Sequence, residues 1–441
     1  MTPSAELVTR YRTRAPRYTS FPTAPQFRPI PLDAVHGALS RGDGPMALYG
    51  HIPFCRSLYL YCGCHVEIHT RRTIGTGYVD LLLREADLLA AHLRPGRTLA
   101  QLALGGGTPT FLLPEVMERL LVGLRERFPF EPDGDFSIEV DPRTIDAAYL
   151  ERLVQIGFNR FSFGVQDFDP TVLATVKRNQ PTDLTWLCVD TLRRLGNFDL
   201  NFDLMYGLPH QTPETFRVTL DTVVAMRPTR IALFLYAHVP WMKSAQKIVE
   251  KAGIPEADTR AQLFAIASEV LGAAGYDAIG MDHFALPGDA LLDAQASGTL
   301  QRNFMGYTTR AGLDQVGIGV SAIGNFGGVY AQDRKDRAAW TAGIEAGELP
   351  VERGFVLSED DTRRRRVIMD LFCNFRVRFD AGEFADERAR LRPLEEDGLV
   401  TLRDDGVDVT ALGRHFIRNV CSTFDPYFES DLSQRRYSST A

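Results

Sequence analysis

QLALGGGTPTFLLPEVMERLLVGLRERFPFEPDGDFSIEVDP, residues 101–142, holds two apolar runs separated by one helical pattern. The first run, QLALGG (101–106), ends in glycines, and the second, DFSIEVDP (135–142), ends in Asp-Pro. Both have the length and the turn-forming borders of a strand. PEVMERLLVGLRERF (114–128), between them, repeats apolar residues at helical spacing. It opens with proline at the first helical position, where the missing N–H is not needed. Strand, helix and strand in that order predict two parallel strands joined by a crossover helix.

The same alternation continues on both sides. MALYGHIP (46–53), RFSFGVQ (160–166), NFDLMYG (201–207) and RIALFLYA (230–237) read as further strands. YVDLLLREADLLAAHL (78–93) and TPETFRVTLDTVVAM (212–226) read as helices, the latter with Thr-Pro-Glu as N-cap, first position and first-turn acid. Six strands alternating with helices imply a parallel sheet, either doubly wound or curled toward a barrel. His51, Glu139, Gln166, Asp203 and His238 fall near the C-terminal ends of different strands. In a barrel those ends share the face where active sites sit.

Beyond about residue 290 the pattern changes. GIGVSAIGNFGG (317–328) is glycine-rich, and from Leu357 the chain reads as a small helical domain. Ser358 is the expected N-cap of its first helix, whose arginines at 363–366 follow an acidic turn and read as a solvated face. EEDGLVTLRDDGVDVTALGRHFI (395–417) reads as helix end, hairpin and helix, a winged-helix-like shape that alone does not imply DNA binding.

The chain has 441 residues and a net charge of −7, which argues against general nucleic-acid affinity and against a DNA-binding regulator. The first residues, MTPSAELVTRYRTRAPRY, lack the apolar core of a secretory signal, and no apolar run has the length of a membrane span. A cytoplasmic protein is expected, as a monomer and without a membrane partner. Of six cysteines, Cys188, Cys373 and Cys421 are scattered and read as buried apolar residues. Cys55, Cys62 and Cys64 crowd into HIPFCRSLYLYCGCH (51–65), which suggests metal or redox chemistry.

Thiolates hold iron–sulfur clusters because soft, deprotonated sulfur suits iron. LGGGTPTFL (104–112) offers a loop that a ligand can approach closely, or simply a tight turn. Glu139 and Asp203 are acids inside apolar strands. Buried carboxylates need partners, so they either pair within the fold or bind ribose hydroxyls or an amino group. Gln166 and Arg178 divide the same way, and His51 and His238 are equally readable as satisfied core histidines.

Taken together, APRYTSFPTAPQF, YGHIPFC, LGGGTPTFL, SIEVDPR, GFNRFSFGVQDF, FDLMYGLPHQTPE, YAHVP, GMDHFA, RNFMGYTT, GVSAIG and GRHFIRNVC resemble the oxygen-independent coproporphyrinogen III oxidases. These are radical S-adenosylmethionine enzymes of haem biosynthesis. The resemblance covers nearly the whole chain. It implies an incomplete (β/α)6 barrel (45–330), an N-terminal lid segment (1–44) and a C-terminal, mostly helical domain (331–441). It also implies a 4Fe–4S cluster at positions 55, 59 and 62. Tyr49, Gly106, Glu139 and Ile323 match positions around the cluster-bound S-adenosylmethionine. Tyr61, Gly107, Thr108, Gln166, Arg178, Asp203 and Ala237 match those around a second S-adenosylmethionine. The implied reaction starts from a 5′-deoxyadenosyl radical, which takes hydrogen from a propionate of coproporphyrinogen III. Two decarboxylations then give protoporphyrinogen IX, with flavodoxin or ferredoxin as a reductant.

One position departs from the pattern. Tyr59 stands where the second cysteine of C-x-x-x-C-x-x-C is expected. A phenol ionises near pH 10, against about 8.5 for a thiol, and its oxygen is hard. It also reaches several ångströms farther from the backbone. Cys64 is a candidate replacement ligand, although the family carries a cysteine there that is not a ligand. In YGHIPF, Gly50 stands where the family has a β-branched residue, and glycine weakens a strand interior. A different class of function follows if the cluster is absent: a catalytically inactive homologue that binds haem, another tetrapyrrole or S-adenosylmethionine.

Overall fold

The computed structural model describes residues 4–428. Residues 1–3 of the expected lid segment and 429–441 of the expected C-terminal domain lie outside the described residues.

A twelve-stranded sheet organises the chain. Its strands are β1 (Met46–Ile52), β2 (Leu99–Gly106), β3 (Phe130–Val140), β4 (Arg160–Gln166), β5 (Asp199–Tyr206), β6 (Arg230–Leu235), β7 (Asp277–Ile279), β8 (His283–Ala285), β9 (Asp314–Ile318), β10 (Ile323–Phe326), β11 (Val329–Asp333) and β12 (Val351–Val356). Their order is β12-β11-β10-β9-β1-β2-β3-β4-β5-β6-β8-β7. Strands β1 to β6 pair in parallel in chain order, and β9 adds a further parallel strand beside β1. The flanking strands are antiparallel. The sheet is an open array of six β/α units, not a closed barrel. Parallel strands covered by helices are buried on both sides, which explains runs such as QLALGG with no polar alternation.

The helices begin where the sequence signals lie. Pro114 and Pro213 each take the first position of their helices, and Thr212 caps Pro213–Met226 in a box with Thr215. Ser358 caps Glu359–Asn374 in a box with Asp361. The arginines of that helix are occupied: Arg363 and Arg364 pair with Asp360, Arg364 also reaches Glu387, and Arg365 lies over the Tyr330 ring. Gly50 sits in β1 between Leu104 and Ile318, and the Leu104 side chain fills the space a Cβ would enter, 2.6 Å away.

The sheet continues through β11 and β12, so the expected boundary at 330/331 falls inside a strand of the main sheet. A second apolar cluster packs Val367, Phe372, Leu391, Val407 and Phe424 from beyond it against Tyr18, Phe21, Leu300 and Tyr307 from before it. There the helix Ala385–Glu396, the hairpin Val400–Arg403/Gly406–Val409 and the helix Ile417–Ser422 form the expected helix–hairpin–helix. The N-terminal segment straps these parts together. Tyr11 donates to Asp397 (2.6 Å), Arg418 donates to the Pro16 carbonyl (3.1 Å), and Arg17 donates to the Leu235 carbonyl (2.9 Å). Arg28 and Gly354 exchange backbone hydrogen bonds at the edge strand β12.

Candidate cofactor site

The parallel strands deliver their polar residues to one edge. In β1, the Tyr49 hydroxyl bonds His51 Nδ1 (3.1 Å), and His51 Nε2 bonds the His65 carbonyl (3.0 Å). Burial lowers the His51 imidazole to about 4, so it is neutral near pH 7. The glycines after β2 are packed, not open. A Cβ on Gly106 would lie 2.5 Å from His51, and one on Gly107 would lie 2.6 Å from the Pro53 backbone. Their N–H groups are also spent within the fold: Gly106 donates to Glu139 (3.2 Å) and Gly107 to the Ile52 carbonyl (2.8 Å). These two amides therefore do not cradle a phosphate.

Glu139 and Asp203 face one another's fields from β3 and β5. Glu139 is exposed at the strand edge, yet the surrounding protein and the Asp203 charge raise it to about 7, and burial raises Asp203. Asp203 accepts from Ser162 (3.0 Å) and Asn201 (2.8 Å). Glu139 has the Gly106 N–H and no cation within ion-pair distance among the described residues. Arg178 is buried and donates to the Tyr61 hydroxyl (3.0 Å) and to the Gly164 carbonyl. Gln246 ties the loop to the end of β6 by donating to both the Tyr61 and Ala237 carbonyls (3.2 Å each). Ile323 begins β10 beside Gly317, which is opposite Tyr49. Gln166 ends β4 at a register shift with φ of 69°, beside Gly164 and Arg178. His238 stays apart, bonded to Tyr236 (3.3 Å).

The cysteine loop lies across this edge. Cys55 Sγ bonds the Thr108 hydroxyl (3.3 Å), and burial raises the thiol to about 11. A hydrogen bond shared with Cys64 lowers the Cys62 thiol to about 6 and raises that of Cys64. Tyr59 is buried and fully engaged. Its hydroxyl donates to Asp141 (3.1 Å) and accepts from Arg143. The guanidinium groups of Arg143 and Arg178 lie 4.6 and 5.0 Å from its ring centre, and Tyr61 stacks at 5.9 Å. Arg143 also donates its Nε to Asp141 (2.9 Å), and Arg178 approaches the same carboxylate at 3.7 Å. Burial alone would raise Asp141, yet the two arginines hold it down at about 2. Burial raises the Tyr59 phenol, so it remains protonated. Asp141 and Arg143 are not singled out by sequence reasoning; the only signal is Asp-Pro-Arg at a strand end. Gln246 leaves no signal at all.

Three comparisons with known proteins bear on this edge. Residues 49–223 match the radical SAM superfamily model. The oxygen-independent coproporphyrinogen III oxidase of Pseudomonas aeruginosa is 41% identical over 98% of each chain. The chain belongs to the oxygen-independent coproporphyrinogen III oxidase family. The same-named protein of Escherichia coli K12 is 40% identical over 98% of this chain and 97% of its own. The solved E. coli coproporphyrinogen III oxidase, described as a radical SAM enzyme, superposes with a TM-score of 0.91 over 97% of this chain and all of that one, at 39% identity.

Radical SAM membership implies a 4Fe–4S cluster and S-adenosylmethionine. The coproporphyrinogen III oxidase fold here fits the second better than the first. Glu139, open to solvent at the strand edge and without a cation, suits an ammonium or ribose hydroxyls. For the cluster, only Cys55 and Cys62 of the three matched positions are thiols. No group of three or more His, Cys, Asp or Glu among the described residues is arranged to hold a metal ion. The Tyr59 oxygen is committed to Asp141 and Arg143. The residues present do not make a three-thiolate site.

Proposed function

We propose that this chain converts two propionates of coproporphyrinogen III to vinyls, giving protoporphyrinogen IX. The observation that carries the reading is kinship at 41% identity along 98% of both chains. In each round the propionate's carboxylate leaves as carbon dioxide, and the two remaining carbons give up one proton and two electrons as the vinyl forms. In this family the hydrogen is removed by a 5′-deoxyadenosyl radical, which the cluster and S-adenosylmethionine supply when bound. Of this chain's residues, Tyr49, Gly106, Glu139 and Ile323 line the cofactor side of the strand edge. Tyr61, Gly107, Thr108, Gln166, Arg178, Asp203 and Ala237 line the part that would take a second S-adenosylmethionine. Cys55 and Cys62 are the thiol ligands, and Tyr59 occupies the third ligand position. The segment before β1 covers the site, the sheet from β1 through β12 carries it, and the described chain beyond β12 forms a second unit. A flavodoxin or ferredoxin supplies electrons to a cytoplasmic monomer. No helix of the described residues is long and apolar enough to cross a membrane.

The test is anaerobic incubation with coproporphyrinogen III, S-adenosylmethionine and reductant, run on this chain and on Tyr59→Cys in parallel. Monovinyl and then divinyl product, with 5′-deoxyadenosine, is expected from Tyr59→Cys. Absence of product from both proteins removes the assignment.

Glu139 carries a further expectation. Its folded-state pKa, about 7, lies above the ordinary carboxyl value of 4.5. Its ionisation therefore costs some stability as pH rises from 4.5 through 7, a cost that solvent access keeps small. Glu139→Gln removes that charge and is expected to raise unfolding free energy only slightly at pH 8, because solvent reaches the carboxylate. It is also expected to weaken S-adenosylmethionine binding, a trade of function for stability. Urea unfolding and a binding titration measure both; stability unchanged at pH 8 would mean that the site already relieves the charge.

A further inference from the structure

Behind the candidate site, helix Ile74–His92 sends two side chains into the turn between β9 and β10. Tyr78 accepts the Val320 N–H (3.0 Å) and donates to the His51 carbonyl (2.8 Å). Glu85, 1% exposed, accepts the Gly319 N–H on one oxygen (2.7 Å) and the Trp340 indole N–H on the other (3.3 Å). Its carboxyl also bonds that of Asp333, at the end of β11. Asp333 in turn donates its own N–H to the Ala322 carbonyl (2.9 Å). The turn is therefore gripped from both sides. Gly319 has φ of +99°, and a Cβ there would lie 2.6 Å from the His51 carbonyl oxygen. The turn joins Gly317, opposite Tyr49, to Ile323.

Two carboxyl groups bond to each other only while they share a proton. No ion pair relieves this pair among the described residues. The walls contributed by Val35, Leu89, Phe326, Ala331, Leu349 and Val351 are apolar. Tyr78 is the other titratable group facing the pair, and burial raises its phenol well above 10, so it stays neutral. A cavity of about 20 Å³ beside both carboxyls has room for one water molecule.

We propose that Glu85, with Asp333 and Tyr78, is a positioning residue. It latches the 319–322 turn against β1 and so holds Tyr49 and Ile323 in register at the cofactor site. The effect on the cofactor rests on the reading of those two residues given above. Burial raises Glu85 to about 7 and raises Asp333, so the latch is whole below that pH. As pH rises through it, the proton is lost, two like charges face each other in a dry interior, and the turn loosens.

The test follows amide hydrogen exchange at Gly319 and Val320, and S-adenosylmethionine binding by titration, between about pH 6 and about pH 9. In the unaltered chain, protection of both amides is expected to fall across that range after correction for intrinsic exchange, and affinity to fall about tenfold. Glu85→Gln, which keeps an acceptor for Gly319 but has no proton to lose, is expected to flatten both profiles while unfolding at the same temperature. Glu85→Ala is expected to unprotect the two amides at every pH. Protection that is flat with pH in the unaltered chain, or intact in folded Glu85→Ala, overturns the latch. Glu139→Ala separates the two readings. If neither Glu139→Ala nor Glu85→Ala alters S-adenosylmethionine binding, the site reading fails, and the exchange data still decide the latch.

Discussion

Tyr59→Cys is expected to raise iron and acid-labile sulfide to about four of each per chain after anaerobic reconstitution. The unaltered chain is expected to hold much less. The reasoning is local. A tyrosine at this position presents a protonated, hard oxygen, and that oxygen already has two partners, Asp141 and Arg143. To bind iron it would have to lose its proton in a buried site beside a carboxylate. A cysteine has neither obstacle, because it is shorter, softer and ionises more readily. The reduced-cluster EPR signal should appear in Tyr59→Cys and shift when S-adenosylmethionine is added. Product formation should rise along with it. The combination Tyr59→Cys with Cys64→Ser should behave like Tyr59→Cys alone. A full cluster in the unaltered chain that is lost in Cys64→Ser would instead make Cys64 the third ligand. That result would overturn the account of Tyr59 as a closed position.

Asp141→Ala should be the most destabilising single change near the loop, by about 3–5 kcal/mol in urea unfolding. Asp141 is 6% exposed and serves Tyr59, Arg143 and Arg178 together. Arg178 keeps Gly164, Tyr61 and Gln180 as partners after the change, whereas Arg143 loses its carboxylate and keeps the Tyr59 hydroxyl. The pH dependence has a definite sign. The folded-state value, about 2, lies below the ordinary 3.8, so the stabilisation is present above 3.8 and is lost as pH falls through about 2. Asp141→Asn should lack that acid limb while costing less than alanine at pH 7, because the amide still accepts hydrogen bonds. A cost under about 1 kcal/mol for Asp141→Ala would mean that the network closes the loop without stabilising the fold.

The parts of the fold that could be read from sequence are those coded locally. RFSFGVQ becomes the strand Arg160–Gln166, and Pro114, Thr212 and Ser358 start the helices they announce. The parallel order of β1 to β6 follows from short right-handed connections between neighbours. The extension of the sheet through β11 and β12 was not readable, because antiparallel strands beyond a glycine-rich stretch look like any surface hairpin. At the site, Glu139 and Asp203 stand out as acids in apolar runs. Asp141, Arg143, Gln246 and Glu85 do not, since each gains its role from a partner 82 to 234 residues away. Arg143 illustrates the difficulty: nothing in Asp-Pro-Arg says that a phenol 84 residues earlier will meet it. The glycine loop misleads in the other direction, for its flexibility serves close packing against His51 and Pro53 and leaves the amides of Gly106 and Gly107 spent.

The strap formed by residues 4–28 has a consequence for how the molecule is made. Its contact from Pro16 to Arg418 spans 402 residues. On a ribosome adding about 5–20 residues each second, the leading segment emerges roughly 20–80 s before its partner exists. During that interval the six β/α units can assemble in order of synthesis, while the segment that will cover them waits without its anchor. The nascent sheet is therefore accessible to assembly factors until translation is well advanced, when the helix Ile417–Ser422 supplies the strap's anchor.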